Sequence, residues 1–565
     1  MHYAELSKAR EELTGPGGAF EIVGVEVNGI TVRAFRHALP DVRALWQSTR
    51  QFAERPYLVY AQERLSYAEA HARVDAIAAW LAAEGVQPGD RVAIAMRNYP
   101  EWLLIYWACV STGVAVVGMN AWWTPEEMAY ALADSAPKVL FLDAERLGRF
   151  REIAEPPALK LVGVRLRGSE YGVTPFADVI AHGGTMPDIA IEPDADACIF
   201  YTSGTTGFPK GAQLTHRGCI TNLFNMLYAG ASTALATQRA TGAEPPATPP
   251  IPVSLLTTPL FHVTANNCGA YATTATGGTI VLMYRWDAGE ALRIIEQERV
   301  TSIGGVPVMA RELINHPDFA TTDVSSLTAL SGGGAQVPPD LVHKIEEKVL
   351  SARPSTGYGM TETCGIITSV AGDFFVDKPD SAGPAMPSYE AKCVDDAGNT
   401  VPPGETGELW VKGAAVIKGY INRPEATAAA ITDGWLHTGD IARIDEDGFI
   451  FIVDRKKDMV LRGGENVYCA EVEAAIYRHP AIAECCVFGV PDHRLGEEVG
   501  VAVLLKPGEA LDDAALRAFV GCHIANYKVP RHVWFLDEPL PRNASGKFLK
   551  RELRDRLAKD LPPAE

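Results

Sequence analysis

Hydroxyls, glycines and a single lysine crowd one stretch of the chain, Cys198 to Gly211 (CIFYTSGTTGFPKG), in a mixture that suits a bound phosphate. An apolar strand leads into Thr202, Ser203, Gly204, Thr205, Thr206 and Gly207, and Lys210 closes the run. Glycines let backbone N–H groups approach an anion closely, and a helix starting near Thr215 would add its positive end. The spacing is not that of the Walker A loop, since GxxxxGKS/T fits neither Gly204 nor Gly207. A plain linker can share this composition, so the wider pattern has to decide.

That pattern is a series of segments in order: TPLFHV (Thr258 to Val263), SGGGA (Ser331 to Ala335), TGYGMTE (Thr356 to Glu362), WLHTGD (Trp435 to Asp440), VDRKKD (Val453 to Asp458), GGEN (Gly463 to Asn466) and RNASGK (Arg542 to Lys547). Together with the first run they resemble the adenylate-forming superfamily, which holds acyl-CoA synthetases, firefly luciferase and the adenylation domains of nonribosomal peptide synthetases. The resemblance covers nearly the whole chain. It implies a ligase that uses ATP and Mg2+ to turn a carboxylic acid into its acyl-adenylate and then transfers the acyl group.

The resemblance also implies roles. Tyr358 would offer an aromatic face to adenine, with Gly333, Gly334 and Ala335 letting backbone groups reach the purine edge. Gly357 and Gly359 beside Tyr358 suggest a tight turn. Thr361 would bond the α-phosphate, and Glu362 would hold magnesium, a hard cation that takes oxygen ligands, with help from Thr202. Asp440 would accept both ribose hydroxyls, although a Gly-Asp pair is often a surface turn. Arg455 would add a ribose or phosphate contact. Lys547 would stabilise the charge that builds as carboxylate meets α-phosphate. A unit charge about 4 Å away at intermediate dielectric is worth roughly 4 kcal/mol, enough for a large rate factor. His262 stands where the family gates its acyl pocket, and a satisfied core histidine is the equal alternative.

Three second steps exist in the superfamily: transfer to coenzyme A, loading of a carrier protein, and oxidation. Only 18 residues follow Lys547, so no fused carrier domain is expected, and Leu461 stands where luciferases carry a lysine. The Gly463–Gly464 pair suits passage of a pantetheine arm. Coenzyme A is therefore the expected acceptor, and a free-standing enzyme loading a separate carrier protein is the competing reading. Gly304, Gly305 and Gly332 to Gly334 leave room for a long or bulky group, and LFHVT followed by Ala265 most resembles fatty-acyl ligases, which implies a medium- or long-chain fatty acid. Asn266 and Asn267 are polar for an aliphatic tunnel, which keeps an aryl or other bulky acid as the alternative.

Strands alternating with helices must position these groups. Runs at 91–96, 114–117, 139–142, 254–258, 279–283 and 327–331 read as strands, and 100–109 as a helix. The fold class expected is α/β (α+β overall): a large N-terminal domain with mixed sheets, 1–453, and a small mobile C-terminal α+β domain, 454–565. The charged run Asp454 to Asp458 reads as solvated, with a hinge at 454–457 and Lys457 at the family's hinge position. Gly230 to Pro252, rich in Ala, Thr and Pro, reads as a mobile loop.

Composition removes other classes. A net charge of -19 opposes nucleic-acid binding, which draws on Lys and Arg. No signal peptide, membrane span, lipidation motif or peroxisomal address is evident, and ten scattered cysteines suit a reducing compartment, so a cytoplasmic protein is expected. Peripheral membrane contact and a homodimer stay open.

Overall fold

The computed structural model describes residues 3–202, 209–242, 250–334, 337, 339–463, 465–543 and 546–560. The expectations at Ser203, Gly204, Thr205, Thr206, Gly207, Ala335 and Gly464 lie outside those residues.

Short apolar runs with no polar face become parallel strands covered on both sides. Ala115–Gly118, Val139–Asp143 and Thr279–Leu282 are buried at every position. The chain divides into two compact units, the larger being Met1–Val337 with Leu341–Glu390 and Val411–Leu436. It holds two eight-stranded sheets. One runs in the order Gly419–Tyr420, Lys210–Thr215, Asp196–Thr202, Ala115–Gly118, Arg91–Ala95, Val139–Asp143, Lys160–Val164 and Val173–Pro175. The other runs Gly365–Ala371, Arg353–Met360, Ala329–Gly333, Ser302–Gly305, Val253–Leu256, Thr279–Leu282, Pro56–Tyr60 and Glu63–Ser66. In an open α/β sheet ligands gather outside the carboxyl ends of the strands, which is where Gly304, Gly305 and Gly333 fall.

The stretch expected as a loop from Gly230 is instead the second half of a 26-residue helix, His216–Thr241. Alanines at 229, 231, 234, 236 and 240 favour helix, and the prolines that suggested a loop begin only at Pro245. Ser232 and Ala236 are buried there, and Glu12 of the helix Tyr3–Thr14 pairs with Arg239. Gly242, at φ 69°, ends the helix in the left-handed conformation that glycine adopts at no steric cost. Of the expected loop, residues 243–249 lie outside the described ones.

The smaller unit is Pro338–Asp340, Ala391–Trp410 and His437–Glu565. The sequence reading put its start at 454; the compact units divide earlier, because Trp435–Ile444 pairs antiparallel along Phe449–Arg455 and carries residues 437–453 with it. A further sheet orders Glu465–Val467, Val460–Arg462, Gly496–Leu505 and Ile482–Asp492, and His532–Leu536 pairs parallel to Gly496–Leu505. Helices Cys469–Tyr477 and Asp513–Gly521 supply Val472, Ile476, Leu516 and Val520 to its core.

Candidate active site

Asp196–Thr202 and Lys210–Thr215 pair antiparallel, with Thr202 opposite Lys210 and Thr202 Oγ1 donating to Lys210 O at 3.4 Å. The two residues thus stand level at either end of the hydroxyl-rich run. A strand of six residues, unforeseen from the sequence, separates Lys210 from the helix His216–Thr241. Six extended residues span about 20 Å, so the helix start lies at the far end of this strand from Lys210; Thr215 caps the helix, its Oγ1 accepting Gly218 N–H at 3.0 Å.

Tyr358 lies within the strand Arg353–Met360, not in a turn. Its flanking glycines answer to the neighbouring strand: a Cβ on Gly359 would fall 1.9 Å from Gly365 O, and the register slips between Tyr358 and Gly359. Gly333 is paired with Gly357 at the end of the adjacent strand, and Gly334 follows at φ 73°. The chain then makes a 3-10 turn, Thr361–Thr363, leaving Thr361 half-buried and Glu362 buried. The Tyr420 hydroxyl donates to Glu362 Oε1 at 2.8 Å, and Ile417 N–H donates to Glu362 O at 3.0 Å. Among the described residues no three His, Cys, Asp or Glu gather as a metal cage. One oriented carboxylate fits magnesium, which keeps waters and is completed by substrate phosphates rather than by an all-protein cage.

Asn98 clasps the TPLFHV segment by donating to Thr258 O and accepting Leu260 N–H, both at 2.9 Å. His262 is half-buried against Phe261, ring centroids 4.7 Å apart, and its carbonyl accepts Asn266 N–H at 3.1 Å. A π-helical turn follows at Thr264–Ala270, a geometry often found at functional sites. It turns Asn266 and Asn267 into the interior: Asn266 Nδ2 donates to Asn267 Oδ1 at 2.9 Å and Asn267 Nδ2 to Cys219 Sγ at 3.4 Å. Both side chains are buried and hydrogen-bonded, so packing alone accommodates them. Gly304, between Leu256 and Ser331 in mid-sheet, is exposed, and a Cβ added there would meet nothing within 4 Å.

In the smaller unit Asp440 lies in a strand and is 2% exposed, so it is not a surface turn residue. Arg455 Nε approaches Asp440 Oδ1 at 3.2 Å. Asp454, expected as solvated, is 7% exposed and accepts Arg455 N–H at 2.7 Å and Cys469 N–H. Burial raises its pKa to about 6. Solvation holds for Arg455, Lys456 and Lys457. Gly463 is at φ 59°, its N–H on Leu495 O at 2.7 Å. Lys547 is exposed, inside an isolated antiparallel bridge between Arg542 and Phe548. Asn543 N–H donates to Lys547 O at 2.8 Å, Lys547 N–H donates to Asn543 Oδ1 at 3.0 Å, and Arg542 Nη1 donates to Gly546 O at 2.9 Å.

The AMP-binding enzyme pattern matches residues 45–421, and that of the AMP-binding enzyme C-terminal domain matches 471–547. The chain belongs to the AMP-binding enzyme family. Within this adenylate-forming family it is 39% identical to a feruloyl-CoA synthase from Amycolatopsis sp over 495 residues, 87% of this chain and 94% of that one. It is 33% identical to a long-chain-fatty-acid–CoA ligase from Bacillus subtilis (strain 168) over 541 residues, 90% and 93% of the two chains. Its fold matches the o-succinylbenzoate CoA synthetase of Bacillus subtilis, solved with its acyl-adenylate, at a TM-score of 0.76 and 30% identity over 93% of this chain and 99% of that one. That synthetase has also been solved with ATP and a magnesium ion, matching at a TM-score of 0.75 and 30% identity over 90% and 99%. The large and small α/β units therefore have the architecture of this family.

Tyr420 was missed by the sequence reading. Its only signal was a Gly-aromatic pair just ahead of the helix Pro424–Ala430.

Proposed function

We propose that this AMP-forming acid–CoA ligase takes an aromatic or otherwise bulky carboxylic acid of the hydroxycinnamate kind. The observation that carries the reading is the exposed Gly304 in mid-sheet, whose missing side chain leaves open space over the strand ends for a flat ring. The feruloyl-CoA synthase relative supports it. The fatty acid suggested by LFHVT stays as a second reading, favoured by the long-chain-fatty-acid–CoA ligase relative.

In the first half-reaction an oxygen of the acid's carboxylate attacks the α-phosphorus of ATP. The bond to the bridging oxygen breaks, and pyrophosphate leaves with that electron pair. Two anions must meet, so positioning and cations supply most of the acceleration. Glu362 and Thr202 are assigned to magnesium, which when bound neutralises phosphate charge. Thr361 and Lys547 are assigned to the α-phosphate, Tyr358, Gly333, Gly334 and Gly359 to the base, and Asp440 with Arg455 to the ribose. His262 borders the acid. In the second half-reaction the thiol sulfur of coenzyme A, having lost its proton, attacks the acyl carbon, and AMP leaves with the acyl–oxygen electron pair. Gly463 is assigned to the pantetheine arm. A swing about 454–457 would exchange Lys547 for that glycine loop between the two steps.

The test is a panel of hydroxycinnamates, benzoates and medium- and long-chain fatty acids with ATP, magnesium and coenzyme A, following pyrophosphate and thioester. Highest kcat/KM for an aromatic acid supports the reading, and highest kcat/KM for a fatty acid overturns it. Gly304→Leu should cost the aromatic acid far more than it changes KM for ATP.

A further inference from the structure

The short strand Gly419–Tyr420 edges the sheet beside Lys210–Thr215, with Tyr420 opposite Ala212 and Gly419 opposite Gln213. Its backbone is fixed on every side. Lys418 N–H donates to Gln213 O at 3.1 Å, Ile421 N–H to Gly211 O at 2.8 Å, and Tyr420 N–H to Thr427 Oγ1 at 2.9 Å. A Cβ on Gly419 would sit 2.8 Å from Thr427 Cγ2, so helix and strand close on each other only over a glycine. From this frame the Tyr420 hydroxyl reaches Glu362 Oε1, while the backbone of the same segment holds Glu362 O through Ile417. Lys210 Nζ lies over the Tyr420 ring, 4.9 Å from its centroid. One buried side chain therefore touches both the candidate metal carboxylate and the lysine that closes the hydroxyl-rich run.

We propose that Tyr420 is a positioning residue for adenylation, its hydroxyl fixing the Glu362 carboxylate in the orientation that takes magnesium. The proposal rests on the reading of Glu362 as the magnesium ligand. A glutamate left to itself samples several rotamers, and each must be given up when the ion arrives. A hydrogen bond made beforehand on one carboxylate oxygen removes that cost, as outer partners of ligating carboxylates do elsewhere. Tyrosine suits the task because its ring is rigid, its hydroxyl donates, and the ring stacks under Lys210 whether or not the hydroxyl is present.

The experiment uses the full chain with Mn2+ as the metal probe and α,β-methylene-ATP as the nucleotide, reading bound metal by electron paramagnetic resonance without the acid. Tyr420→Phe should weaken Mn2+ binding by about 10- to 100-fold. In pyrophosphate release the KM for magnesium should rise in step, saturating magnesium should restore kcat, and KM for the acid should stay put. A purely structural role would lower the melting temperature and would not be rescued by metal. Wild-type Mn2+ affinity in Tyr420→Phe, or a kcat that saturating magnesium fails to restore, overturns the proposal. Glu362→Gln, measured alongside, separates the two levels. If it loses Mn2+ while Tyr420→Phe does not, only the positioning role falls. If Glu362→Gln itself keeps wild-type affinity, the metal reading falls first and takes the proposal with it.

Discussion

Asp440 and Arg455 stand opposite each other across two antiparallel strands, with Arg455 Nε 3.2 Å from Asp440 Oδ1. The carboxylate is nearly inaccessible, while the arginine side chain is 44% exposed, so a fixed acceptor is rimmed by a cation that can reach a ligand. Asp440→Asn keeps the volume and removes the charge that would accept ribose hydroxyls. We expect KM for ATP to rise about 10- to 100-fold, consistent with losing charge-assisted hydrogen bonds. The preference for ATP over 2′-deoxy-ATP should narrow. Steady-state kinetics with both nucleotides checks this, and unchanged discrimination would remove Asp440 from the ribose.

Lys547 is exposed, and its segment is held by Asn543 and Arg542 through backbone groups that a shorter side chain leaves intact. Lys547→Ala should therefore fold normally. Adenylation should fall by about 100- to 1,000-fold, the effect of removing one charge aimed at the transition state. Thioester formation from supplied acyl-adenylate should be nearly unchanged. Single-turnover assays of each half-reaction read the difference, and equal losses in both would contradict the assignment.

Lys457 lies in a turn closed by Asp458 and Met459 N–H groups on Arg455 O, bonds that use neither its own N–H nor its side chain. Lys457→Pro fixes one φ angle and restrains the preceding residue. It should slow thioester formation in a single turnover far more than pyrophosphate release. Wild-type thioester formation from preformed adenylate would show that the swing does not turn on this residue.

Asp454 gives a pH signature. Its pKa is raised to about 6 by burial, so between about pH 4 and 6 the folded state holds a proton that the unfolded state has released. Its stabilising term is present below about pH 4 and is lost as the pH rises through about 6, amounting to about 3 kcal/mol. Asp454→Asn should flatten the pH dependence of unfolding in that window. Chemical denaturation at several pH values checks this, and an unaltered slope would contradict it.

The candidate residues were legible because they sit in unbroken motifs. Thr202, Lys210, Tyr358, Glu362, Asp440 and Lys547 could be picked out by type and neighbours, and apolar runs such as Val139–Asp143 leave little choice but a buried strand. What failed was context. Prolines after Pro245 coloured the reading of an Ala-rich segment that is helical up to Thr241. Asp454 looked solvated beside Arg455, Lys456 and Lys457, yet its carboxylate is buried on the N–H of Cys469, 15 residues away. The glycines around Tyr358 suggested a turn, whereas Gly359 answers to a strand whose proximity the sequence does not record. Tyr420 is 58 residues from Glu362, and nothing local joins them.

The most direct measurement follows the oxygen. An aromatic acid labelled with 18O in its carboxylate is incubated with ATP, magnesium and coenzyme A, and the nucleotide product is analysed by mass spectrometry. Attack of the carboxylate on the α-phosphorus predicts AMP carrying one 18O and unlabelled pyrophosphate. Formation of ADP with 18O-labelled phosphate, or AMP free of label, would contradict the account.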